Sequence, residues 1–182
     1  EMILENEKIK QALEYIKEED PATTQDTLNM CQIPAPSYKE EKKAEYIRER
    51  FREIGLRDVR IDAVGNVLGI WPGTGEGPNV MLAAHTDTVF PEGTDLSIRK
   101  EGNRYYCPGI NDDTHAVAEM IAVAKSMIHA DLHTKGDLIF CANVCEEGLG
   151  DLRGVKYLFG YDNKASEECP EVDAFVSIDN QY

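Results

Sequence analysis

The chain has 182 residues, a length that fits one domain or a piece of a larger one, and its 42% of hydrophobic residues suffices for one ordinary core. Asp and Glu number 34 against 19 Lys and Arg, so the net charge is -15. This charge argues against nucleic acid and anionic membranes as partners, because both attract clusters of cationic side chains.

The sequence indicates a compartment only indirectly. Residues 1–20 are charged throughout and do not resemble a secretory signal peptide, which needs an apolar segment and a small-residue cleavage site. Apolar runs stay shorter than the roughly 18 residues that span a bilayer. The five cysteines are odd in number and irregularly spaced, unlike a disulfide framework. We therefore expect a cytoplasmic protein with reduced thiols.

Helical periodicity predicts two helices near the start of the chain. Apolar residues recur at helical spacing over residues 9–16. A second stripe occupies residues 44–54 and stops at Gly55, a residue suited to a helix C-terminus. Ser37 and Glu40 precede this stripe at the spacing of a capping box, in which the serine oxygen accepts a helical N–H and the glutamate reaches back.

The rest of the chain alternates between strand-like and helix-like patterns. In chain order the patterns predict strand 59–63, strand 67–71, strand 80–84, helix 116–128, strand 138–144, helix 155–159 and strand 174–178. This alternation is typical of an α/β sandwich whose central strands are buried on both faces. Ligands of such sheets bind beyond the carboxyl ends of the strands.

Acidic residues and one histidine follow the buried strands at the points where the strands end, and another aspartate opens a helix. They are His85, Asp87, Asp112, Glu146, Glu147 and Asp179. So many carboxylates cannot all ionise close together without a counter-charge, which a divalent metal ion would supply. Imidazole combined with carboxylates suits zinc, with cobalt or manganese as alternatives.

Two pairs of these residues have a spacing that indicates how their side chains work together. His85 and Asp87 point to the same side of an extended segment, so the aspartate can accept a hydrogen bond from the second imidazole nitrogen and fix the tautomer. Glu146 and Glu147 are neighbours whose side chains diverge. One glutamate can therefore bind metal while the other takes a proton from a metal-activated water. The residues alone leave open which glutamate does which.

These motifs resemble those of the M20 metallopeptidases. The resemblance is carried, in this order and in these strand contexts, by residues 33–37, 84–89, 109–113 and 146–151. It implies a three-layer α/β/α sandwich with a mostly parallel mixed sheet, of the zinc-dependent exopeptidase type. It also implies hydrolysis of an amide bond and two zinc ions in the complete active site.

The resemblance further implies a role for each metal-binding residue. His85 and Asp179 would bind the first metal ion, and Asp112 would bridge the two ions. Glu147 would bind the second ion. The family takes a further ligand of the second ion, a histidine, from far downstream, whereas the last histidine here is His133.

The same resemblance implies the catalytic roles. Glu146 would be the general base that acts on the bridging water, and Asp87 would orient His85. We expect residues 1–182 to be the N-terminal part of the catalytic domain, with the sheet incomplete and with little activity on their own. The complete protein would form a homodimer through a lid domain that lies further along the chain.

Three functions remain open at this point. Hydrolysis of a small peptide is favoured because residues 146–152 and the Ile178-Asp179 ending look more like the peptidase branch. The deacylases of the family, which act on N-acyl amino acids, share the same metal-binding motifs. A non-catalytic metal-binding or interaction module is the alternative of another class. Against it, the sequence retains the general base and the metal ligands that the resemblance implies for these residues.

Overall fold

The computed structural model describes residues 3–160 and 165–179, which form a mixed sheet with helices on both faces. The helices are α1 (Glu7–Glu18), α2 (Asp20–Cys31), α3 (Glu41–Ile54), α4 (Ala116–His129) and α5 (Arg153–Phe159). The strands are β1 (Arg57–Ile61), β2 (Val67–Trp71), β3 (Val80–His85), β4 (Arg99–Glu101), β5 (Arg104–Tyr106), β6 (Leu138–Asn143) and β7 (Ala174–Ser177). Within the described ranges, none of the helices has the length and apolar character needed to cross a membrane.

The large sheet has the strand order β1-β2-β6-β3-β7. Strand β2 runs antiparallel to β1 and β6, whereas β6, β3 and β7 run parallel to one another. The register places His85, the last residue of β3, opposite Asn143, the last residue of β6. Because the three parallel strands point the same way, the residues that follow them meet at one edge of the sheet. The predicted α/β fold with a mixed sheet is confirmed.

Side-chain alternation along the central strands divides the core into two layers. On β6, Phe140 and Ala142 pack with α2, α3 and α4, whereas Ile139 and Cys141 pack towards α5 through Leu158. Successive side chains of a strand point to opposite faces, so each central strand contributes to both layers. The result is the three-layer α/β/α arrangement that the resemblance implied.

Helix α3 carries one confirmed prediction and one that is wrong. Gly55 ends the helix in the left-handed conformation, with φ 94°, as expected. The capping box does not form, because Glu40 is the N-cap residue and no side-chain hydrogen bond caps the first turn. Instead, the Ser37 hydroxyl donates to Asp87, and the Glu40 carboxylate accepts hydrogen bonds from Cys145. Long-range contacts have replaced the local cap.

Three other features were not predicted. Pro21 lies in the first turn of α2, where its missing N–H costs nothing because that turn leaves N–H groups unbonded. Strands β4 and β5 form a separate hairpin of three-residue strands, too short and too polar to give an apolar alternation. Strand β7 is exposed along its length, although the sequence suggested a buried strand.

We expect Phe51→Ala to destabilise the protein by about 3–5 kcal/mol, because the ring is fully buried between α3 and the sheet and its loss leaves a cavity. Urea unfolding followed by circular dichroism measures this change. Leu13→Ala is the matched control, since Leu13 lies on α1 with 45% of its surface exposed and should cost much less. Equal losses for the two variants would contradict the packing described here.

Candidate metal centre

All six predicted site residues lie at the edge of the sheet where β3, β6 and β7 end. His85 ends β3, and Asp87 follows two residues later. Glu146 and Glu147 lie in the segment after β6, and Asp179 lies in the segment after β7. Asp112 lies in the irregular turn Ile110–His115. Potential ligand atoms of His85, Glu146 and Glu147 lie within 4.8 Å of one another, and so do those of His85, Asp112 and Asp179. His85 therefore belongs to two adjacent groups of metal-ligand atoms.

His85 is almost fully buried, and both of its ring nitrogens face oxygen atoms. Nδ1 lies 3.0 Å from the main-chain oxygen of Asp87 and 3.5 Å from its carboxylate, while Nε2 lies 3.0 Å from Oδ1 of Asp112. Burial lowers the pKa of His85, but Asp87 and Asp113 act more strongly in the opposite direction, and the pKa rises to about 9. Because Nδ1 faces Asp87, a neutral imidazole that donates from Nδ1 leaves Nε2 free to bind a cation.

Asp87 is fully buried and acts as a hydrogen-bond acceptor for three donors. Oδ1 accepts from the main-chain N–H of Glu146 at 2.8 Å, and Oδ2 accepts from the N–H of Glu147 at 3.1 Å and from the Ser37 hydroxyl at 2.6 Å. Burial on its own raises the pKa of Asp87, yet His85 and these donors lower it below its usual value. The carboxylate therefore fixes the backbone that carries both glutamates.

The acidic edge lacks enough positive charge of its own. Burial raises the pKa of Glu146 and of Glu147 above their usual values, Asp112 raises both further, and His85 acts in the opposite direction. A raised pKa means that the ionised form is disfavoured where these carboxylates stand. A bound cation would remove that penalty.

Two buried residues beside the site were not among the predicted site residues. Asp113 accepts the main-chain N–H of His85 through Oδ2, while its buried Oδ1 has no hydrogen-bond partner among the described residues. Burial is the main cause that raises the pKa of Asp113 to about 7. Lys43 is also buried and donates to the hydroxyl of Thr114 at 2.8 Å; burial lowers its pKa to about 8. No spacing rule connects α3 to this turn, so Lys43 could not be predicted from sequence patterns.

The residues of this edge fit a divalent cation. Each of the two groups combines one imidazole with two carboxylates, the donor types that suit zinc and its first-row neighbours. The shared imidazole is oriented by Asp87, as metal-binding histidines commonly are. The pKa values of Glu146 and Glu147, raised chiefly by burial and further by Asp112, are consistent with a site that gains from a bound cation.

The sheet and its acidic edge together define an α/β protein with a candidate metal centre at the carboxyl ends of its parallel strands. The chain belongs to peptidase family M20/M25/M40, whose model matches residues 81–181. The chain is therefore a member of this family, and the resemblance drawn from its motifs is confirmed.

Individual relatives match the chain over part of their length. A Pyrococcus abyssi protein described as a LysW-lysine/LysW-ornithine hydrolase is 34% identical over 120 residues, covering 66% of this chain and 32% of the relative. The succinyl-diaminopimelate desuccinylase of Corynebacterium glutamicum is 29% identical over 132 residues, covering 72% of this chain and 35% of that protein. The chain thus spans about a third of the length of these curated relatives.

A solved structure shows the same fold. The di-peptidase of Saccharomyces cerevisiae superposes with a TM-score of 0.71 at 20% identity, covering 95% of this chain and 41% of that chain. At this identity the likeness establishes the fold alone.

We expect zinc to raise the melting temperature of the chelator-treated protein, because a ligand that binds only the folded state stabilises it by mass action, by about 2.7 kcal/mol at a hundredfold excess over Kd. Scanning calorimetry with and without zinc measures the shift. Asp112→Asn should reduce it, whereas Glu14→Gln, an exposed change on α1, should leave it intact. A melting temperature indifferent to zinc would contradict the proposed centre.

Proposed function

We propose that the protein hydrolyses an amide bond in a small peptide, as an exopeptidase, with Glu146 as the general base. Metal ions would be held by His85, Asp112, Glu147 and Asp179. The observation that carries this proposal is the pair of ligand groups that share His85, one of which contains both glutamates. Membership of the hydrolase family supports the reaction class.

A divalent cation, with zinc favoured and cobalt or manganese as alternatives, would supply Lewis acidity that polarises the amide carbonyl and makes water more acidic. The chain's own residues prepare the site for it. Asp87 holds the imidazole of His85 in one orientation, and it also holds the main chain of Glu146 and Glu147.

Glu146 is suited to move protons. Burial is the main cause that raises the pKa of Glu146 above its usual value and so towards neutral pH, and a general base works best when its pKa is near the working pH. It would take a proton from the attacking water and pass it to the leaving amine. The main-chain N–H of Glu146 donates to Asp87, which holds the backbone of Glu146 in place. This would position its side chain for the substrate.

A second candidate substrate is an N-acyl amino acid. The desuccinylase relative acts on a succinylated compound according to its name, and the superposed yeast protein is a di-peptidase, so proteins that resemble this chain in sequence or fold include both a deacylase and a peptidase. The proposed roles of the residues at this edge involve metal and water, so these residues do not by themselves distinguish a peptide from an N-acyl amino acid.

We extend the proposal to the whole protein. Since the chain spans about a third of its curated relatives, we propose that residues 1–182 are the N-terminal part of the catalytic domain. The complete protein would then gain a lid domain, a further metal ligand and a homodimer interface from other residues. A cytoplasmic location is supported by the five cysteines, all of which are free thiols in the structure.

We expect Glu146→Gln in the full protein to lower kcat by about 10²–10⁴-fold, because the amide cannot accept the proton, while zinc affinity changes little. Turnover assays together with calorimetric zinc titration test this. Glu45→Gln on the exposed side of α3 is the control and should keep full activity. Undiminished turnover by Glu146→Gln would remove the glutamate from the proposed role.

A substrate panel separates the two candidate reactions. We expect di- and tripeptides to give a kcat/KM about tenfold above that of N-succinyl and N-acetyl amino acids in the full protein. The reverse order would favour the deacylase function. Zinc binding without turnover of any member of the panel would favour a non-catalytic module.

A further inference from the structure

Glu40 is a buried carboxylate whose burial the predicted capping box does not explain. It stands at the N-cap position of α3, yet its side chain makes no capping hydrogen bond and only 5% of its surface is exposed. Burying a carboxylate is costly, and burial is the main cause that raises the pKa of Glu40. If packing alone were required, an apolar side chain of similar size would serve better.

The contacts of Glu40 lie across the fold, at the end of β6. Its Oε1 accepts the main-chain N–H of Cys145 at 3.0 Å and the Cys145 thiol at 3.2 Å. Cys145 has φ 54°, in the left-handed region that residues with a side chain rarely adopt. This conformation turns the chain out of the strand immediately before Glu146.

Glu40 accepts the first of three successive main-chain N–H groups that are bonded to buried carboxylates. The N–H of Cys145 is bonded to Glu40, and the next two N–H groups, those of Glu146 and Glu147, are bonded to Asp87. Two buried carboxylates from different parts of the chain thus hold three successive amides. Without the first contact, the turn would keep the hydrogen bond from the Arg153 N–H to the Cys145 oxygen, but the amide of Cys145, directly before the two glutamates, would lose its acceptor.

We propose that Glu40 is a positioning residue of the metal centre, which fixes the main chain at Cys145 and thereby aims Glu146 and Glu147. This inference rests on the function proposed above. Ser37, three residues earlier, supports the same segment from the other side through its hydrogen bond to Asp87. The stretch before α3 is therefore part of the site's supporting structure.

Two substitutions separate positioning from charge. Glu40→Gln keeps the length of the side chain and an oxygen that accepts the Cys145 N–H, but it removes the charge. Glu40→Asp keeps the charge but is one methylene too short to reach Cys145 from the same backbone. Glu45→Gln and Glu45→Asp, on the exposed side of the same helix, are the matched controls.

We expect Glu40→Asp in the full protein to lower kcat by about 10²-fold with KM within about threefold of the parent, because a small misplacement of catalytic groups costs that much. Its zinc affinity should fall about tenfold, as for other residues that orient metal ligands. Glu40→Gln should stay within about threefold of the parent in all three quantities. The reverse order of the two variants, or equal loss in both, would overturn the proposal.

Hydrogen exchange provides a readout that does not depend on activity. Amides of Cys145, Glu146 and Glu147 should exchange about tenfold faster in Glu40→Asp and at the parental rate in Glu40→Gln, while the amides of α4 remain unchanged in both. Failure of the parent to hydrolyse any substrate would refute the proposed function, and the exchange pattern would still decide the role of Glu40. Parental exchange in both variants would refute that role.

Discussion

The buried carboxylate of Asp87 is the group on which the rest of the site depends. It joins three segments that are distant in sequence, because it follows β3 and accepts hydrogen bonds from Ser37 before α3 and from Glu146 and Glu147 after β6. His85 and these donors lower the pKa of Asp87, although burial opposes ionisation. Replacing it with an apolar residue would leave buried N–H groups without acceptors, so its removal affects the backbone as well as the charge.

The same constraint sets the electrostatics of the edge. Burial is the main cause that raises the pKa of Glu146 and of Glu147, and the nearby carboxylate of Asp112 raises both further. The cationic side chain of Lys43 is buried nearby, but it is bonded to the hydroxyl of Thr114 rather than to a ligand. A divalent cation would balance the carboxylates of this edge, so in the proposed function metal binding would stabilise the fold here.

Local patterns predicted a large part of the fold, and the exceptions have physical causes. Strands β1, β2, β3 and β6 and helix α4 were all predicted, because each has an apolar pattern that is typical of its element. Ser37 and Glu40 were misassigned because a capping box is a local pattern, whereas their partners Asp87 and Cys145 lie on other elements. Strands β4 and β5 escaped detection because they are short and largely exposed.

The sequence by itself determined the chemistry available at the site. It placed an imidazole and carboxylates directly after apolar strands, and parallel strands in an α/β fold deliver such residues to one edge. Only the tertiary structure decided how those residues are held. The position of β6 between β2 and β3 puts Glu146 and Glu147 beside Asp87, and the path of the chain before α3 brings Glu40 to Cys145. These placements follow from strand pairing and burial, which act between segments distant in sequence and therefore produce no periodic pattern that the sequence could show.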